Sequence, residues 1–216
     1  MRRLGLCAMT VLMAACHVPL RPNPPLATPT SVDDLIATLA ADTRRSDREP
    51  DSKIRETLAA DADRDATACV ALAPQSAACL YYHGVALGLM ARAHPTRAGE
   101  LLKSMLEALK AAAAVDAGYD NAGPLRVQAL VLIKAPGWPL GPGDADAGVD
   151  AARRAVSLAP QYPPNVLALA EALTKTDDHA GARENYRRAR DLAQSLAPSP
   201  DRDDWLAQAD QALKHP

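Results

Sequence analysis

The sequence predicts an all-α protein: a solenoid of antiparallel helix pairs with a capping helix at its C-terminal end. Three observations carry this. After residue 30, apolar residues recur three and four apart across most of the chain, punctuated by Pro, Gly and Asp. Sustained alternation of β-branched residues, the mark of strands, is nearly absent. Hydrophobic residues make up 48% of the chain but aromatics only 3%, with no Phe. Alanine therefore supplies much of the interior, which suits helices packed closely through small side chains.

The N-terminus comes first. Arg2 and Arg3 precede an apolar stretch, Leu4 to Met13, and then Ala14-Ala15-Cys16. A basic start, a short apolar core and small residues before a cleavage point describe a secretory leader over residues 1–15. The apolar run is too short to span a bilayer, which takes about 20 residues. Leu12-Met13-Ala14-Ala15-Cys16 resembles a bacterial lipobox, with Met13 where Leu is more usual. The resemblance implies a diacylglycerol on the Cys16 thiol and cleavage before it. His17, not Asp, follows the cysteine, which by analogy with lipoprotein sorting implies the outer membrane and a domain in the periplasm. Residues 16–30 then hold five prolines and predict an extended tether reaching up to ~40 Å.

The domain proper is expected over residues 31–216. Ser31 and Asp34 resemble a capping box, and Val32, Leu35, Ile36 and Leu39 share one helical face behind it. Ile54, Leu58, Ala62, Ala66, Cys69 and Val70 predict a second helix. Leu80, Gly84 and Leu87 mark a third, and Leu101, Met105, Leu109 and Ala112 a fourth. Pro124 opens a fifth, Asp144 caps a sixth, Pro163 or Pro164 opens a seventh and Asp178 starts an eighth. Asp201 is expected to cap the last helix, which carries Trp205, Leu206, Ala209 and Leu213.

Residues 163–194 form the clearest internal unit. Val166, Leu169, Ala170 and Leu173 fill its first helix, and Ala182, Tyr186 and Ala189 its second. This spacing resembles the tetratricopeptide repeat without a gap, with Val for the usual Trp, Ala for Gly and Leu for Tyr. The small residue near the end of each unit recurs as Cys69, Ala112, Ala155 and Ala189, at steps of 43, 43 and 34. Ala135 to Gly143 supplies the nine extra residues of the second step. The resemblance implies a right-handed superhelix of stacked pairs, capped by the helix around Trp205.

The segment from Pro124 to Ala189 is also similar to lipid-anchored repeat proteins of the TatT type, associated with TRAP-type transporters. Gly-Pro-Leu-Arg, Lys-Ala-Pro-Gly-Trp-Pro-Leu-Gly-Pro-Gly-Asp and Ala-Pro-Gln-Tyr-Pro-Pro-Asn carry the similarity. It implies a periplasmic solenoid that can assemble into a ring and handle small apolar ligands beside a substrate-binding protein.

Inner helices line the concave face of such solenoids. Carrying over the repeat's inward positions gives Tyr81, Val85 and Leu89 in one unit, Gln128 and Leu132 in the next, and Leu167 and Glu171 in the third. Trp138, in the Pro/Gly-rich insertion, either joins this surface, projecting into a ligand site or against a partner, or pins its loop onto the helices. Cys69 and Cys79 flank Pro74 at equal distance, near facing positions on two antiparallel helices. Outside the inner membrane they can form a disulfide, or they can both serve as small packing residues.

The charge is mild. The net value of −2 becomes −4 once Arg2 and Arg3 leave with the leader, and no basic patch suggests nucleic acid. Asp144-Ala-Asp146-Ala-Gly148 lacks the later ligands of a calcium loop and is better read as a helix cap. No metal-ligand spacing, nucleophile elbow or phosphate loop is present, and no cofactor is implied. The reading is a non-enzymatic binding protein: a TatT-like transport accessory or, alternatively, a protein–protein scaffold for envelope assembly or secretion.

Overall fold

The computed structural model describes residues 31–214. The expected leader (1–15) and the Cys16 anchor with its tether (16–30) lie outside the described residues.

Nine α-helices follow one another within them: α1 (Val32–Arg48), α2 (Ser52–Leu72), α3 (Ala77–Ala93), α4 (Ala98–Val115), α5 (Tyr119–Lys134), α6 (Ala145–Leu158), α7 (Pro163–Lys175), α8 (His179–Gln194) and α9 (Pro200–Lys214). A single 3₁₀ turn, Pro95–Arg97, joins α3 to α4. No strand occurs among the described residues, only an isolated bridge between Gly137 and Gly143. Each helix packs on its neighbours in sequence, and α1 on α3, α3 on α5, α5 on α7 and α7 on α9 make a second set of contacts. That is an all-α, repeat-like stack of helix pairs. No helix among the described residues is long and apolar enough to cross a membrane.

Local chemistry sets the helix starts. The Ser31 hydroxyl accepts from the Asp34 amide at 3.1 Å. Asp51, Ser76, Asp144 and Asp178 cap α2, α3, α6 and α8 in the same way. Pro163 opens α7, where its missing N–H costs nothing. One expectation fails: α9 is capped by Ser199, whose hydroxyl accepts from the Arg202 amide at 3.1 Å. Asp201 lies inside the first turn, which frees its carboxylate for another partner.

Small residues sit where the helices cross. Cys69, Ala112, Ala155 and Ala170 are fully buried, and Ala189 nearly so. Gly84 lets α3 lie against α4, since a Cβ there would stand 2.9 Å from Leu109 Cγ. Gly148 does the same for α6 on α5, where a Cβ would meet Ile133 Cγ2 at 2.5 Å. Helices that approach this closely lose little by lacking large apolar residues, because dispersion contacts depend on proximity. Ile54 departs from the expected face and is 39% exposed.

The start of α5 is the one break in helical geometry. Asp120, Asn121 and Ala122 have φ of 49°, 54° and 64°, in the left-handed region. For L-residues that conformation costs roughly 1–2 kcal/mol each, least for Asp and Asn. The right-handed helix resumes at Gly123-Pro124, close to the expected start at Pro124.

Candidate functional site

The curvature of the stack forms an open cavity of about 740 Å³, within the ~300–1,000 Å³ typical of small-molecule sites. Its apolar wall comes from α3, α4 and α5, through residues such as Val85, Leu89, Met105, Val127, Leu130 and Val131. The last turns of α1 close one side with Thr43, Arg44 and Asp47, and the first turns of α9 close another with Asp201 and Trp205. Arg48 on α1 and Asp201 on α9 form an ion pair at 2.5 Å, which links the first and last described helices.

Aromatic side chains are concentrated here. Of five tyrosines and two tryptophans in the chain, Tyr81, Tyr82, Tyr162 and Trp205 line the cavity. Tyr81 packs edge-on against Tyr82 at 5.2 Å and Tyr119 at 5.4 Å. Tyr162 and Trp205 form a second edge-on pair at 5.7 Å. Such pairs keep rings rigid while leaving faces open to an apolar guest.

A buried polar network forms the cavity's floor. Arg126 donates to the Asp120 carboxylate at 2.9 Å and to Asn165 Oδ1 at 3.1 Å. It also donates to the carbonyls of Asp120 and Asn121 at 3.3 Å. Asn165, fully buried, donates to the Asn121 carbonyl at 2.9 Å and reaches the Ala155 and Ala159 carbonyls at 3.2 Å. These bonds hold the left-handed turn in place. Tyr81 donates its hydroxyl to Asp120 at 3.2 Å, and the Arg126 guanidinium lies 5.1 Å from the centre of the Tyr162 ring. Burial pushes the Tyr81 phenol well above its ordinary range, opposed by Arg126 and reinforced by Asp120. Burial raises Tyr162 as well, again against the pull of Arg126. Both phenols are therefore neutral hydrogen-bonding groups. The arrangement can hold an apolar body and offer polar contacts at its edges.

The sequence expectation is met in part. Tyr81, Val85 and Leu89 all line the cavity. Gln128 and Leu132 do not: the α5 face turned to the cavity is Val127, Leu130, Val131 and Lys134. Val127 and Val131 stand one residue, about 100° of helix, from the expected positions. The repeat frame assumes an unbroken right-handed helix, and the left-handed turn at 120–122 interrupts it. Gln128 is instead buried, with its Nε2 lacking a partner. Leu167 is 3% exposed within the core of α6 to α9. Glu171 is not itself part of the lining but pairs with Lys134, which is, at 2.8 Å, and with Gln208.

Trp138 neither lines the cavity nor pins its loop. It is 87% exposed, and Leu140 beside it is 76% exposed. The insertion is pinned by its backbone instead: Gly143 donates to the Pro136 carbonyl and Asp144 to that of Leu132, both at 2.9 Å. Cys69 and Cys79 are joined by a disulfide, with Cα atoms 5.3 Å apart. Both are fully buried, so the bridge also fills the small-residue position between α2 and α3.

Periodicity missed Arg126, Asp120, Tyr162, Asn165 and Trp205. A signal was present, since Arg126 interrupts an apolar helix and Tyr162 and Asn165 bracket the Pro163-Pro164 pair. Nothing local joins these two stretches. No group of three or more His, Cys, Asp or Glu residues that could hold a metal ion occurs among the described residues. No protein-family model matches the chain, and no curated protein matches it.

Proposed function

We propose that this chain is a lipid-anchored binding protein of the tetratricopeptide-repeat type, a right-handed superhelix facing the periplasm from the outer membrane. It acts without catalysis, as a TatT-like accessory of a TRAP-type transport system that holds a small apolar ligand and meets a substrate-binding protein. The observation that carries this reading is the aromatic-lined cavity of about 740 Å³ with its apolar walls. A floor built from three left-handed residues and a buried arginine also supports it, because strain of that kind gathers at ligand sites. The test is native mass spectrometry of the purified protein. A co-purifying mass of a few hundred daltons, released on unfolding, is the expected result. Protein that carries no such mass, whether from its native envelope or after exposure to envelope extract, contradicts it.

The scaffold reading draws on a different feature, the exposed Trp138 and Leu140. Crosslinking from position 138 in the intact envelope to one defined protein, with an empty cavity, would favour it.

A further inference from the structure

Six charged side chains line the cavity: Arg44, Asp47, Asp120, Arg126, Lys134 and Asp201. Five are neutralised. Asp120 pairs with Arg126 at 2.9 Å, Asp201 with Arg48 at 2.5 Å, Lys134 with Glu171 at 2.8 Å and Asp47 with Arg92 at 3.5 Å. Arg44 alone has no hydrogen-bond or ion-pair partner among the described residues. Arg44 is exposed, at the cavity's rim, and its field reaches the neighbouring Tyr82 phenol. The lining thus combines a mostly apolar interior with one uncompensated positive charge at the mouth. Guanidinium groups recognise carboxylate and phosphate oxygens through paired donors.

We infer that the cavity takes a single-chain anionic amphiphile, with its apolar chain against α3 and α5 and its acidic head on Arg44. The inference rests on the cavity being the ligand site. A carboxylate and a phosphate monoester share the required head chemistry, and the experiment separates them.

Calorimetric titration of the purified full chain, below micellar concentrations, compares decanoate, decyl phosphate, decanol and decyltrimethylammonium. Decanoate or decyl phosphate is expected to bind about 10-fold more tightly than decanol, as one charged hydrogen-bonded contact provides. Whichever anion leads identifies the head. Arg44→Gln is expected to remove that advantage while leaving decanol unchanged, Arg44→Lys to keep part of it, and Arg45→Gln on the same helix to keep all of it. Equal affinity for decanol and both anions, or an unaltered anion preference in Arg44→Gln, overturns the head-group inference and leaves the cavity reading standing. Failure of every probe, decanol included, overturns both.

Discussion

The turn between α2 and α3 and the turn between α4 and α5 do the same job, reversing the chain between stacked helices. They are secured in opposite ways. At the first, Ala73 donates to the Cys69 carbonyl at 2.9 Å, Ser76 caps α3, and a disulfide spans a sequence separation of 10. Every device there lies within a dozen residues. At the second, three residues sit in the left-handed region, and two side chains fix them: Arg126 from the following helix and Asn165, which holds both Arg126 and Asn121, from 44 residues away. The first turn is an ordinary reversal closed by local chemistry. The second is held by tertiary contacts, and it is the one that builds the cavity floor. A costly backbone conformation lasts only where its surroundings enforce it, which is why it sits beside the buried arginine.

Breaking each turn tests that difference. Arg126→Met should have the largest effect. It strips Asp120 of its ion-pair partner, and Asn165 Oδ1 and two carbonyls of a donor, while keeping apolar volume. The half-exposed Asp120 carboxylate can turn to water, but the buried Asn165 Oδ1 and the Asp120 carbonyl lose their donor, at about 1–3 kcal/mol each, measurable by urea unfolding, and the cavity should lose its shape with it. A loss below ~1 kcal/mol would mean the network does not hold the turn.

Next comes Cys69→Ala with Cys79→Ala, expected to lower stability by about 3 kcal/mol through the longer freedom of the unfolded chain. Ligand binding should survive, because the bridge lies away from the cavity lining. Reductant should reproduce the loss in the native protein and do nothing further to the variant.

Asn121 offers a smaller test with a sign. Asn121→Gly should be neutral or stabilise by up to ~1 kcal/mol, since glycine enters the left-handed region freely. Asn121→Val should cost about 1–2 kcal/mol, since a β-branched residue resists it. Thermal unfolding of the pair decides. If valine is tolerated as well as glycine, the turn is not left-handed in solution.

The smallest effect is expected at Asp42. Its carboxyl is raised above the ordinary value of 3.8, first by burial and then by Asp61 and Asp65. A carboxyl raised by folding disfavours the native state wherever it is ionised, so the cost is absent below pH 3.8 and complete above the folded value. Asp42→Asn should therefore add up to ~0.5 kcal/mol at neutral pH and nothing in acid, as urea midpoints across pH would show.

The contrast also explains what could be seen in the sequence. Helix periods, N-caps and the small residues at Cys69, Ala112, Ala155 and Ala189 are local or repeat at a fixed step, so reading along the chain finds them. Tyr81, Val85 and Leu89 could be placed because α3 is uninterrupted. Gln128 and Leu132 were displaced because three left-handed residues rotate α5 away from the repeat frame, and nothing in Tyr-Asp-Asn-Ala-Gly-Pro announces three such residues in a row. Trp205 reaches the cavity only because the stack curves enough to bring α9 toward α1, a property of the assembled helices. Asp201 reads as a cap because its position at a helix start looks the same whether it caps or pairs with Arg48.

The account stands most directly on the cavity being the binding site, and one titration tests that. An uncharged naphthylamine dye is added to the native protein, to Val127→Trp, whose indole is placed on the cavity wall, and to Trp138→Ala on the exposed loop. Saturable dye binding at one site in the native protein and in Trp138→Ala, with an affinity changed several-fold in Val127→Trp at unchanged far-UV circular dichroism, is the predicted result. Native-like binding in Val127→Trp, or binding lost in Trp138→Ala, would place the ligand surface on the loop and contradict the account.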